Sequence, residues 1–160
     1  MRTIVIGLGN PILTDDGVGV KVAYQVERAL SDRKPDSVTI TEASVGGLRL
    51  METMIGYDRA ILIDAYLNKN GHAPGTIHRM TLDDLRMISP TQHSASAHDT
   101  SLVTALDMGR RMGLSLPKEI SIFAIEVENV TDFSDHSTPC VAEAIPVVVE
   151  AVLKELNIDL

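Results

Sequence analysis

Three short apolar runs limit the architecture of this chain more than any other feature. Thr3–Leu8, Arg59–Ala65 and Ile120–Val127 are built around Ile, Val and Leu and are bounded by polar or glycine residues. A strand without polar alternation is buried on both faces, and a sheet of such strands needs helices on both sides. The segments between them supply those helices. From Asp16 to Leu30 the apolar positions Val18, Val22, Ala23, Val26 and Leu30 recur at helical spacing. Leu48–Ile55 reads as a short helix, and Ser96 with Asp99 has the spacing of a capping box that opens a helix near Ala97. That helix carries Leu102, Val103, Leu106 and Met108 and ends around Gly113. Thr138 and Pro139 read as the N-cap and first residue of a last helix, with Val141, Ile145, Val148, Val149, Val152 and Leu156 on one face. Ser37–Ala43 and Thr76–Met80 add two strands, and Leu82–Met87 a helical turn. The pattern predicts a single domain over residues 1–160. Its fold class is α/β: a three-layer, mostly parallel twisted sheet of about five strands with helices on both faces, phosphorylase/hydrolase-like. Pro146 interrupts the last helix without a reason visible in the sequence.

Composition narrows the function. The net charge of −8 repels a phosphate backbone, and a chain with no Trp, three Tyr and two Phe lacks a stacking platform for nucleic acid. No nucleic-acid partner is expected. The longest apolar stretches are broken by Asp64 or Glu150, so no membrane span is expected either. The apolar run before Gly7 is too short for a signal peptide, and Cys140 is the sole cysteine, which suits a reducing cytoplasm.

Sheets of this kind bind ligands beyond the carboxyl ends of their strands. That rule gathers three distant turns: the one after the first strand, the one after Ile63, and the one leading into the helix at His98. The first of these, Gly7 to Gly19, reads GLGNPILTDDGVG and holds two adjacent acids, Asp15 and Asp16. A phosphate cradle would not be acidic, so the turn points to metal or water chemistry. One acid can serve as a helix N-cap, which leaves the other spare. Asp64 ends the most apolar strand; a carboxylate there takes turn N–H groups, an arginine such as Arg59 or Arg49, or a metal. His98 stands at a helix start, where the positive end of the dipole favours the neutral imidazole that ligates metals. It can equally be structural or exposed. His93, in the same polar loop, is the weaker candidate, and His72 and His78 read as surface residues. Cys140 lies at a helix start near His136, but an incidental thiol fits as well. Two carboxylates and an imidazole from three turns make an open site for zinc, nickel or manganese, and the donor set does not choose among them.

At these residues the sequence resembles the hydrogenase maturation proteases, the family that processes large subunits of nickel–iron hydrogenases. The matching segments are GLGNPILTDDGVGV at 7–20, VGGLRLM at 45–51, AILIDA at 60–65 and SAHDTSLVTAL at 96–106. The family's metal-binding positions fall on Asp16, Asp64 and His98. Some members have Glu where this chain has Asp16, a difference of one methylene. The resemblance implies a cytoplasmic endopeptidase that removes a C-terminal extension from a hydrogenase large-subunit precursor after nickel insertion. It implies that the precursor presents the nickel, and that Asp16, Asp64 and His98 engage it, with Asp16 and Asp64 as the catalytic carboxylates. Another divalent metal could occupy the isolated protein. Gly46 and Gly47, on the same edge, are expected to let the substrate tail approach the backbone.

Three other readings compete, the plainest being a ligand-binding Rossmann-like domain in which the acids are only caps. A non-catalytic metal-binding hydrogenase assembly factor would use the same three ligands. GLGNP also opens the peptidyl-tRNA hydrolases, but here it runs into ILTDDG instead of that family's histidine segment, and the charge of −8 argues against tRNA.

Overall fold

A computed structural model describes the backbone of residues 1–67, 71–87 and 97–158; the side chains of residues 97–101 are not among those described. In chain order the elements are β1 (Thr3–Leu8), a 3-10 turn (Thr14–Gly17), α1 (Val18–Ala29), β2 (Val38–Ala43), α2 (Gly47–Thr53) and β3 (Arg59–Tyr66). They continue with β4 (Ile77–Thr81), α3 (Leu82–Met87), α4 (Ala97–Arg111), β5 (Glu119–Glu126) and α5 (Pro139–Glu155). The strands form one sheet in the order β2-β1-β3-β5-β4. β2, β1, β3 and β5 are parallel, and β4 is an antiparallel edge. The three-layer α/β expectation therefore holds, with one antiparallel strand that its short sequence could not announce.

All six residues of β1 are buried, as are six of the eight in β3, because apolar side chains leave both faces of the sheet. On one face Val5, Ile61, Ile63, Phe123 and Ile125 pack under α1 and α5. On the other, Ile4, Ile6, Leu62, Ile120 and Ile122 pack under α2, α3 and α4. Alternation along each strand decides which core a residue joins. Pro146 stays inside α5, as does its neighbour one turn back, Ala142; both are exposed. The Ala142 carbonyl that a proline cannot bond thus faces water, which lowers the cost of the break. Among the described residues no helix is long and apolar enough to cross a membrane.

The sheet changes direction of winding between β1 and β3. β2 lies on one side of β1 and β3 on the other, so the connections leaving these two strands diverge. The carboxyl end of this strand pair is the topological switch point where open α/β sheets place ligands.

Candidate active site at the switch point

Glycines bring the first helix down onto the ends of β1 and β3. A Cβ on Gly19 would stand 2.2 Å from the Ile63 carbonyl oxygen and 2.6 Å from that of Leu8. Gly9 has φ +120°, and a Cβ there would lie 1.9 Å from the Asp16 carbonyl oxygen. No side chain fits at either position, so the 3-10 turn closes directly over the strand ends. Thr14 also adopts a left-handed backbone, φ 49°, unusual for a β-branched residue. It is held there by its N–H to Ser134 O (2.9 Å) and its hydroxyl to Asp132 O (2.6 Å).

The two adjacent acids divide the work, and neither caps α1. The N-cap of α1 is Gly17, with no side-chain cap bond, which corrects the expected capping role. Asp15 is fully buried and accepts four hydrogen bonds from the segment that precedes α5. The donors are Glu128 N–H (3.3 Å), Asn129 N–H (3.1 Å), Thr138 N–H (2.8 Å) and the Thr138 hydroxyl (2.8 Å). Thr138 is the N-cap of α5 and Pro139 its first residue, as expected. Asp16 is half-buried at the rim. Its Oδ2 accepts the Asn10 N–H at 2.8 Å, while Oδ1 accepts no hydrogen bond from a described residue. The spare acid of the pair is therefore Asp16, oriented by backbone and carrying one oxygen unbonded among the described residues.

Asp64 is the sixth residue of β3 and is 6% exposed. Arg59, an anticipated partner, lies at the other end of the same strand and is bound by Glu155 instead. Asp64 alternates with Leu62, which belongs to the core under α2 and α4, so its side chain is directed to that face. α4 returns from that face to β5, which puts its amino end at the carboxyl edge. His98 is the second residue of α4, one turn before buried Leu102, and its side chain lies outside the described residues. His93, Ser96 and most of the loop expected from Ser89 to Ala97 lie outside them as well. Among the described residues no three His, Cys, Asp or Glu side chains are grouped to hold a metal. Backbone topology thus gathers Asp16, Asp64 and position 98 at one edge.

Gly46 and Gly47 border this edge between β2 and α2. Gly47 has φ +60°, so a turn conformation alone accounts for glycine there, whereas Gly46 is extended at φ −122°. Beside them Gly9, Asn10, Pro11, Glu42, Ala43 and Ser44 line a pocket of about 230 Å³.

Sequence reasoning missed one feature here. His78 is not merely a surface residue: its Nε2 lies 3.0 Å from Oε1 of Glu126, whose residue is 1% exposed, and the His72 and Tyr66 rings meet its edge. Glu126 ends β5 beside Tyr66. The signal that could have found it is an acid closing an otherwise apolar strand. Cys140 is exposed, and His136 turns to Asp135 (2.6 Å), so no thiol–imidazole pair forms between them.

Comparison with known proteins bears on this arrangement. A family model described as hydrogenase maturation protease matches residues 20–155. The hydrogenase 2 maturation protease of Escherichia coli K12 is 31% identical over 157 residues, covering 98% of this chain and 92% of its own length. A putative hydrogenase maturation protease of Methanocaldococcus jannaschii is 26% identical, covering 96% of each chain. The structure of the hydrogenase maturating endopeptidase HybD from E. coli superposes with a TM-score of 0.77 at 29% identity, over 98% of this chain and 93% of that one. A [NiFe] hydrogenase maturation protease from Thermococcus kodakarensis shares the fold, with a TM-score of 0.71 at 21% identity over 96% of this chain and 98% of that one.

Proposed function

Because the chain belongs to the hydrogenase maturation protease family, and is thus an endopeptidase of hydrogenase processing, we propose that it trims the C-terminal extension of a nickel–iron hydrogenase large-subunit precursor after nickel insertion. The nickel belongs to the substrate, and Asp16, Asp64 and His98 are its proposed ligands on this chain. What carries this reading is the placement of Asp16, in the 3-10 turn after β1, and Asp64, near the carboxyl end of adjacent β3, at the switch point of the sheet. The donor set fits: carboxylate oxygen and imidazole nitrogen suit a borderline divalent ion, and the Oδ1 of Asp16 makes no hydrogen bond with a described residue.

Nickel bound there supplies a Lewis acid beside the scissile bond. The chain's own residues set the rest. The Asn10 N–H fixes the Asp16 carboxylate against rotation. Asp64 is buried near the end of β3, where water does little to screen the attraction between a carboxylate and a bound cation. A carboxylate oxygen of Asp16 or Asp64 that the ion leaves unbonded can take the proton of an attacking water. The pocket beside Gly9, next to the turn of Gly46 and Gly47, is the proposed place of the substrate's extended tail. The proposed compartment is the cytoplasm, in keeping with an exposed free thiol at Cys140.

The test is cleavage of a nickel-loaded and a nickel-free precursor followed by mass. Trimming should need nickel and should fall sharply in Asp16→Asn, Asp64→Asn and His98→Ala, each shown to be folded. Wild-type rates in all three would remove these residues from the reaction. Binding of the loaded precursor by the wild-type chain with no mass loss would favour the assembly-factor role over cleavage.

A further inference from the structure

The opposite edge of the sheet has a pocket that the proteolytic reading does not use. Arg59 begins β3, Glu119 begins β5 and Thr81 ends antiparallel β4, so these three strand ends meet there. With α3 and the carboxyl end of α4 they wall a pocket of about 480 Å³, within the range of small-molecule sites. Five cationic side chains line it: Arg59, Arg79, Arg86, Arg110 and Lys118. That concentration runs against a chain whose net charge is −8.

The arginines are held rather than neutralised. Glu155, 9% exposed at its side chain, binds two of them: Oε1 takes Arg59 Nη2 at 2.7 Å and Oε2 takes Arg79 Nε at 2.8 Å. Asp107 binds Arg86 at 2.8 Å and lies 3.9 Å from Arg110. Two carboxylates thus anchor four guanidinium groups, and Lys118 has no acid partner among the described residues. The two acids in the wall itself, Asp83 and Glu119, are 95% and 70% exposed and approach no closer than 3.8 Å, where solvent screens them. Arg59 Nε makes no hydrogen bond among the described residues; it lies 3.8 Å from Glu119 Oε2, on a side chain 70% exposed. An oxyanion in the pocket would compete with that weak pair for the guanidinium.

We infer that this pocket binds a compact polyanion carrying two or more phosphate or carboxylate groups. Only Leu82 and Ile120 give it apolar surface, so an apolar ligand has little to hold. Guanidinium forks set side by side match oxyanions in bidentate fashion. The polyanion has two sources: a free small molecule, or an acidic segment of a protein. The pocket lies five residues of β3 from Asp64, about 17 Å at strand rise, so occupancy need not disturb the proteolytic rim.

The experiment is a titration of the isotope-labelled full chain with inorganic diphosphate, at ionic strength fixed with chloride, read by amide shifts. A hexaglutamate peptide is titrated in parallel and in competition. Saturable shifts at residues 118–121 and 79–86, with none at 9–16, are expected. The double variant Lys118→Gln, Arg110→Gln, with an otherwise native spectrum, should weaken the diphosphate at least tenfold. Displacement of diphosphate by hexaglutamate identifies an acidic protein segment as the source; binding of diphosphate alone identifies a free polyanion. Shifts no larger than chloride produces for both probes, or undiminished binding in the double variant, overturn the inference.

Discussion

The two edges of one sheet are built on different principles. At the carboxyl edge, backbone does the work: Gly9 and Gly19 admit direct contact between main chains, and the acids are fixed by N–H groups within a few ångströms of their own turn. At the amino edge, long side chains from β3, β4, α3, α4 and α5 meet around two shared carboxylates. The first arrangement sets main chain directly against main chain, and tolerates almost no change in side-chain size. The second is electrostatic, and should yield gradually to substitution and salt. A reaction that must place atoms to a fraction of an ångström belongs on the first kind of edge.

The comparison breaks if the carboxyl edge proves forgiving. Gly19→Ala drives a methyl into two carbonyl oxygens and should cost about 3 kcal/mol or more in urea unfolding; a loss below about 1 kcal/mol would mean that the helix start can shift. The neighbouring acids give a sharper contrast. Asp15→Ala strips four buried donors of their acceptor and should cost about 3 kcal/mol. Asp16→Asn keeps the Asn10 bond and should leave stability within about 0.5 kcal/mol, yet cut cleavage about a hundredfold or more, since metal polarisation accounts for several kcal/mol. Equal behaviour of the two variants in both assays would erase the division of labour.

The amino edge should respond more weakly. Burial pushes the Glu155 carboxyl up, but the bonds from Arg79 and Ser121 and the charge of Arg59 outweigh it and hold the group below its usual range. A lowered folded value means that Glu155 stabilises fully above the ordinary glutamate pKa of about 4.3, and that this contribution fades as pH falls through the folded value. Glu155→Gln should therefore cost about 2 kcal/mol at neutral pH, and flatten the loss of stability between about pH 5 and pH 3. An acid-unfolding curve parallel to wild type would contradict this. Smallest of all, Arg86→Gln breaks a half-exposed pair with Asp107 and should change stability by about 0.5 kcal/mol or less, as read by the urea midpoint.

The same contrast explains what was legible in the sequence. The apolar runs announced β1, β3 and β5 because burial on both faces leaves a composition that a single chain displays. The GLGNPILTDDG turn was legible because its chemistry is local, but the sequence could not say which acid was spare. That is decided by the segment from Glu128 to Thr138, more than a hundred residues away, whose N–H groups claim Asp15. The helix start at Ala97 was anticipated from spacing, and Pro139 from its place after Thr138. The antiparallel run of β4 was hidden, because five residues of mixed polarity carry no direction. The cationic pocket was hidden for a stronger reason. Its members sit between Arg59 and Lys118 in no periodic relation, and only the ends of three strands bring them together.

The account rests on Asp16, Asp64 and His98 meeting at one ion. Crystals of the protein soaked with a divalent metal and measured at its absorption edge test this directly. The account predicts an anomalous peak at the ends of β1 and β3, bonded to a carboxylate oxygen of each aspartate and to the imidazole of His98. A well-ordered site showing the imidazole beyond bonding reach of both acids, or the ion bound elsewhere, would contradict it.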